Sequence, residues 1–190
     1  MDDLLSRALD LAEVRGAGYA DIRIVRTVQE RISLRNGVVD TLSVDESLGF
    51  GVRVLVNGCW GFASSHDLTG KEIDRITALA VDIAKASGTL SKGAVDLGPP
   101  VTSRGTYTTP IEEDPFTIST DHKLALLMDA DQRMVAVKGV RSRQGNMVFI
   151  KEEKTFANSE GAHVEQTVYE AGGGIAANAV GNNEIQRRSY

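Results

Sequence analysis

Two Asn-Gly dipeptides, Asn36-Gly37 and Asn57-Gly58, each stand between runs of alternating apolar and polar residues. Asn-Gly supplies the positive φ angles of a two-residue hairpin turn whose twist matches that of its strands. Before the second dipeptide, Phe50, Val52, Val54 and Val56 alternate with Gly49, Gly51, Arg53 and Leu55, which is strand periodicity. Cys59 to Ser65 reads as the returning strand, with Trp60 and Phe62 on one face. Gly49 and Gly51 also raise a rival reading, a phosphate cradle. A dinucleotide loop needs G-x-G-x-x-G between a strand and a helix. Here Val54 fills the third glycine slot, and the pattern that follows is not helical. The stretch is read as a hairpin. The nucleotide-enzyme reading would require a helix after Gly51.

The other elements follow from period and punctuation. Leu5, Ala8, Leu9 and Ala12 share one face of a helix from Asp3 to about Arg15, which Gly16 and Gly18 stop. Asp2 and Asp3 suit its positive end. Ile22 with Ile24, Ile32 with Leu34, and Leu42 with Val44 mark three strands, and the hairpin adds two more. Their short connections favour antiparallel pairing. Thr69 and Glu72 form a T-x-x-E capping box for a second helix with Ile73, Ile76, Ala80, Ile83 and Ala84 inward and Gly88 at its end. All four prolines fall between about 88 and 118, so that stretch is neither a central strand nor a helix. It reads as a long crossing over the surface. A third helix runs from Ser119 or Thr120 to Lys138, with Leu124, Leu127, Met128, Met134 and Val135 inward and Gly139 after it. Strands are expected at Val140–Ser142, Met147–Glu152, Lys154–Asn158 and His163–Glu170, with a turn at Asn158–Gly161. "AGGGIAANAVGNN" stays unassigned. The plan is α+β: a mainly antiparallel meander covered by about three helices, in one domain over 1–190.

Charge narrows the function. The net charge is −5, and basic residues cluster only at Arg187-Arg188, so there is no footprint for nucleic acid. One cysteine, Cys59, excludes an internal disulfide and suits a reducing cytoplasm. No apolar run is long enough for a membrane helix, and the acidic N-terminus is unlike a secretory signal.

No catalytic constellation emerges. None of His66, His122 and His163 has a second histidine at i+3 or i+4. His163 and Glu165 would share a strand face about 7 Å apart, but two ligands are too few for zinc. Ser64-Ser65-His66-Asp67 lacks a nucleophile elbow and reads as a polar loop before the helix cap. Cys59 reads as a small buried apolar residue, and Glu112-Glu113-Asp114 as a solvated loop. Gly172-Gly173-Gly174 reads either as a place of close backbone approach or as a flexible join. A meander with open edges could take a peptide by strand addition, which leaves a stand-alone peptide-binding or regulatory module as an alternative.

The order of landmarks resembles the N-terminal domain of the TldD/PmbA family, peptide-maturation proteins also labelled modulators of DNA gyrase. The resemblance rests on "AGYADIR", "GFGVRV", "WGFAS", the capped helix, "ANSEG" and the "GGG" that follows. It covers nearly the whole chain. The family implies a zinc-dependent peptidase acting on unfolded or extended peptides, as a homo- or heterodimer. Its metal ligands, an H-E-x-x-x-H-like motif and a further thiolate, belong to a second, C-terminal domain. No position here matches them, so the resemblance implies no catalytic, cofactor-binding or metal residue in this chain. It implies a domain that shapes the substrate channel and subunit contact, partnered by its own C-terminal domain and a second subunit. "NEIQRRSY" ends like a strand cut short, which is expected of one domain of a longer protein.

Overall fold

The computed structural model describes residues 1–88, 95, 97–100, 102–181 and 184–190. In chain order its elements are α1 (Asp2–Val14), β1 (Tyr19–Arg35), β2 (Val38–Val56), β3 (Cys59–Ser65), α2 (Gly70–Gly88), β4 (Arg104–Thr108), α3 (Thr120–Val135), β5 (Val140–Asn158), β6 (His163–Gly181) and β7 (Glu184–Ser189). The strands form a seven-stranded sheet in the order β3-β2-β1-β5-β6-β4, with β7 also on β6. The α+β, mainly antiparallel architecture is therefore observed. β4 is the exception and pairs parallel to β6, with Arg104 opposite His163.

Both Asn-Gly turns form as read. Asn36 and Gly37 have φ of 51° and 78°, and Asn57 and Gly58 have 50° and 76°. Val56 pairs with Cys59 across the second turn. No helix follows Gly51, which removes the nucleotide reading.

The strands are longer and fewer than expected. The first two expected strands are one 17-residue β1. Leu42, Val44 and the hairpin strand all belong to one 19-residue β2. Residues 25–31 contain no Gly, Pro, Asn or Asp, so nothing turns the chain there, and pairing continues through polar positions. Likewise Val140–Ser142, Met147–Glu152 and Lys154–Asn158 merge into β5, and the unassigned glycine-rich stretch is the second half of β6. Burial in β2 slips phase: Thr41 and Ser43 are partly buried, then Phe50, Val52 and Val54 are buried. Within the proline-rich crossing, Arg104–Thr108 forms an exposed edge strand, which proline nearby permits. Residues 89–94, 96 and 101 of the crossing lie outside the described residues.

The residues sort into two compact units. The first comprises Met1–Arg26, Ser47–Thr108 and Glu152–Thr167. Its core joins Leu5, Ala8 and Ala12 of α1, Ile73, Ile76, Ala80 and Ala84 of α2, and Ile22, Phe50, Val52 and Val54 of the sheet. Each such isoleucine or valine stabilises the fold by about 1.5–3 kcal/mol on burial. Close approach of α2 depends on Gly61, because a Cβ there would lie 2.0 Å from the Ala80 carbonyl oxygen. Thr77 and Val81 complete the buried face of α2. Ile83, expected inside, is 38% exposed, since it sits roughly a quarter turn from the centre of that stripe.

The second unit comprises Thr27–Glu46, Thr109–Lys151 and Val168–Tyr190. Leu127 of α3 packs on Ile32 and Leu34, flanked by Leu124, Met128 and Met147. Ser119 caps α3, its hydroxyl accepting from the His122 N–H. The helix ends at Val135, short of Lys138, and Val135 is 53% exposed where an inward position was expected.

Candidate functional site

Alternation in β2 turns Phe50, Val52 and Val54 toward α1 and α2, and Gly49, Gly51 and Arg53 toward the opposite, helix-free face of the first unit. There the two glycines leave a trough of about 680 Å³, bounded by Asp21, Arg23 and Val25 of β1, Phe62 of β3, and Ser65-His66. The register places Arg53 opposite Phe62 and Gly51 opposite Ser64. Phe62 leans over the glycine floor: a Cβ on Gly51 would lie 2.8 Å from its ring.

A polar cluster edges the trough. Asp21 is 2% exposed and accepts from Arg53, Nε at 2.8 Å and Nη2 at 2.7 Å. The Arg53 guanidinium lies 4.6 Å over the Trp60 ring, and Tyr19 meets Trp60 edge-on at 5.9 Å. Burial pushes the Tyr19 phenol above its ordinary pKa, and the Asp21 carboxylate adds to that shift. Burial opposes the charge on Arg53, but Asp21 outweighs it and the net direction is upward. Sequence reading missed this cluster. Its only signal is that Asp21 and Arg53 both occupy the off-core phase of apolar strands, in "YADIR" and "GVRVL".

The other candidate residues do not assemble into a centre. His163 Nε2 and Glu165 Oε1 are 3.9 Å apart on a half-open surface. Ser65 Oγ accepts from the Asp67 N–H, so the Ser-His-Asp stretch is a loop leading into α2. Cys59 is buried. The Asp114 carboxylate accepts from the Phe116 N–H and the Tyr169 hydroxyl, which makes it a turn residue. Gly173 and Gly174 lie within β6 beside neighbouring backbone: Cβ atoms there would be 3.3 Å from Asn146 O and 3.2 Å from Tyr190 O. The turn at Asn158 is tightly built. Its side-chain oxygen accepts from the Glu160 and Ala162 N–H groups, and Ser159 exchanges hydrogen bonds with Ala20 of β1.

Two family models match in order. The model of PmbA/TldA metallopeptidase domain 1 matches residues 20–84, and that of the PmbA/TldA metallopeptidase central domain matches 113–190. The chain belongs to the PmbA/TldD metallopeptidase family. A metalloprotease of Methanothermobacter thermautotrophicus is 30% identical over 147 residues, covering 77% of this chain and 31% of its own. A metalloprotease of Methanocaldococcus jannaschii is 26% identical over 147 residues, covering 77% and 32%. This PmbA/TldD chain thus spans about a third of the length of the curated relatives it matches.

Solved structures share the fold. A modulator of DNA gyrase from Bacteroides thetaiotaomicron superposes with a TM-score of 0.77 at 16% identity, over 99% of this chain and 43% of that one. A second, from Thermotoga maritima, gives 0.75 at 16%, over 100% and 42%. TldE of Thermococcus kodakarensis gives 0.73 at 13%, over 98% and 42%.

The family's metal does not fit the residues described. A catalytic zinc takes three protein ligands and an open position. Among the described residues no three His, Cys, Asp or Glu side chains converge, and His163 with Glu165 supplies only a pair.

Proposed function

We propose that this chain is the non-catalytic N-terminal part of a PmbA/TldD-type zinc peptidase acting on unfolded or extended peptides. It shapes the substrate channel and the subunit contact. The zinc and its ligands belong to a C-terminal domain, and the assembly is a homo- or heterodimer of family members working in the cytoplasm on peptide maturation. One observation carries this reading: two successive metallopeptidase family models match the chain while its described residues converge no metal-ligand triad. Among the described residues, no helix is long and apolar enough to cross a membrane.

The test is cleavage of fluorescently labelled casein by the 190-residue chain with zinc, beside any longer product of the same gene. The chain alone should be inert, and the longer product should lose its activity to a chelator. Cleavage by the chain alone that survives the chelator overturns the reading.

A stand-alone peptide-binding module draws support from β2. β3 covers only Phe50–Val56, while Val38, Leu42 and Val44 are 68%, 53% and 67% exposed. Such a stretch suits strand addition. A reading frame that stops after Tyr190 would favour this module, and one that continues into H-E-x-x-x-H would favour the peptidase.

A further inference from the structure

The trough over Gly49 and Gly51 has no task in the peptidase reading so far. Its floor is glycine backbone, overlain at Gly51 by the edge of the Phe62 ring. Its apolar wall is Phe62, 58% exposed, with Leu48, 41% exposed. A phenyl ring left in water beside a side-chain-free floor offers cover to an incoming apolar group. Its volume of about 680 Å³ falls within the roughly 300–1,000 Å³ of sites that hold small ligands.

The charged lining chooses the ligand. Arg53 is answered by Asp21. Arg23 is not answered: its guanidinium lies 5.3 Å over the Phe156 ring, and among the described residues it has no carboxylate partner. The lining therefore sets two guanidiniums against one carboxylate, with the hydroxyls of Ser47 and Ser64 nearby. An unanswered guanidinium favours a carboxylate, which it can bind through two parallel N–H groups. A bulky apolar group and a carboxylate occur together on one residue at the C-terminus of a peptide.

The geometry points to the Gly49–Gly51 trough as a site for a peptide's C-terminal residue, its apolar side chain beside Phe62 and its carboxylate on Arg23. The choice of a peptide as occupant rests on the peptidase reading. The recognition chemistry rests on the trough alone.

The experiment is an NMR titration of the isotope-labelled 190-residue chain with N-acetyl-Ala-Ala-Phe as free acid and as amide. The acid should move the Gly49, Gly51 and Ser64 amides saturably, and the amide should bind about tenfold more weakly, the loss expected for one charge-assisted contact. Arg23→Gln should bring the acid down to the level of the amide. Phe62→Ala should weaken both ligands. Both side chains are exposed, so the spectra of the variants should otherwise be retained. Equal binding of acid and amide, or saturable shifts elsewhere only, overturns the site. So does the absence of saturation up to about 10 mM, beyond the weak end of specific binding. Phenylacetate binding as tightly as the tripeptide acid overturns the peptide as occupant. Intact cleavage without discrimination at the trough sinks only this inference. Discrimination with no cleavage by the longer, zinc-loaded product sinks the peptidase reading instead.

Discussion

Lys123 of α3 and Glu30 of β1 form an ion pair that water barely reaches: Nζ lies 2.5 Å from Oε2, and the side chains are 3% and 6% exposed. The Phe149 ring stands 4.5 Å from the same ammonium. Attraction between the two charges offsets the cost of removing each from water only while both are present. Lys123→Met should therefore lose about 3–5 kcal/mol, the price of a stranded buried charge. Adding Glu30→Leu should restore most of it. Urea unfolding of the two single variants and the double variant measures the cycle, and a double variant as unstable as Lys123→Met contradicts the argument.

Asp21 should matter more through Trp60 than through its own contacts. Asp21→Ala removes the carboxylate that holds Arg53 over the indole. Arg53 is 40% exposed and can turn to water, so the loss should be about 1–3 kcal/mol. Trp60 is the sole tryptophan. Its emission maximum should therefore report the change in the folded protein, whereas a replacement on the far side of α2 should leave it alone.

Two glycines on adjacent strands should respond in opposite measure to a methyl group. Gly61→Ala drives a Cβ to 2.0 Å from the Ala80 carbonyl oxygen, which is backbone and cannot step aside. The destabilisation should reach about 3 kcal/mol, the upper end for overpacking. Gly51→Ala crowds the ring of the exposed Phe62, which can swing away, and otherwise makes an ordinary 3.8 Å contact with Ser64 Cβ. Its effect on the melting temperature should be small. Comparable losses in the two variants would contradict this contrast.

Glu72 carries a pH dependence whose sign is fixed. Arg75 foremost, then the Ser65 hydroxyl, lowers its carboxyl from the ordinary 4.5 to about 2. A carboxylate with a depressed folded pKa contributes stability above its unfolded pKa and loses it as pH falls through the folded one. The contribution should be complete above about pH 4.5 and gone near pH 2. Glu72→Gln should flatten that part of the curve of melting temperature against pH by lowering the neutral region, with variant and parent converging near pH 2. An unaltered acid limb in the variant would show that the ion pair with Arg75 has no weight in solution.

The readable parts of this fold are those written in consecutive residues. Asn36-Gly37 and Asn57-Gly58 need only their own φ angles, and both turns form as expected. Half of the Thr69 capping box forms as well: its hydroxyl accepts from the Glu72 N–H at 3.3 Å, while the Glu72 carboxylate pairs with Arg75. Strand lengths were harder to read, because a polar run such as Thr27–Arg31 breaks the apolar pattern without breaking backbone pairing. Glycine carries no pattern, so the second half of β6 was silent. The polar pairs were the least visible. Asp21 meets Arg53 across 32 positions and Glu30 meets Lys123 across 93, and neither partner marks the other in sequence. The trough was hidden for the same reason, since Gly49 and Gly51 form its floor only once Phe62 returns beside them.

Neither compact unit is an unbroken length of polypeptide: each gathers three separate segments, and β1, β2, β5 and β6 contribute residues to both. The stretch matched by the central-domain model, 113–190, even includes the Glu152–Thr167 segment of the first unit. A scissile cut between the two matched stretches would therefore divide neither unit cleanly from the other. Each fragment would retain ribbons stripped of their hydrogen-bonding neighbours, prone to clump until its complement was supplied.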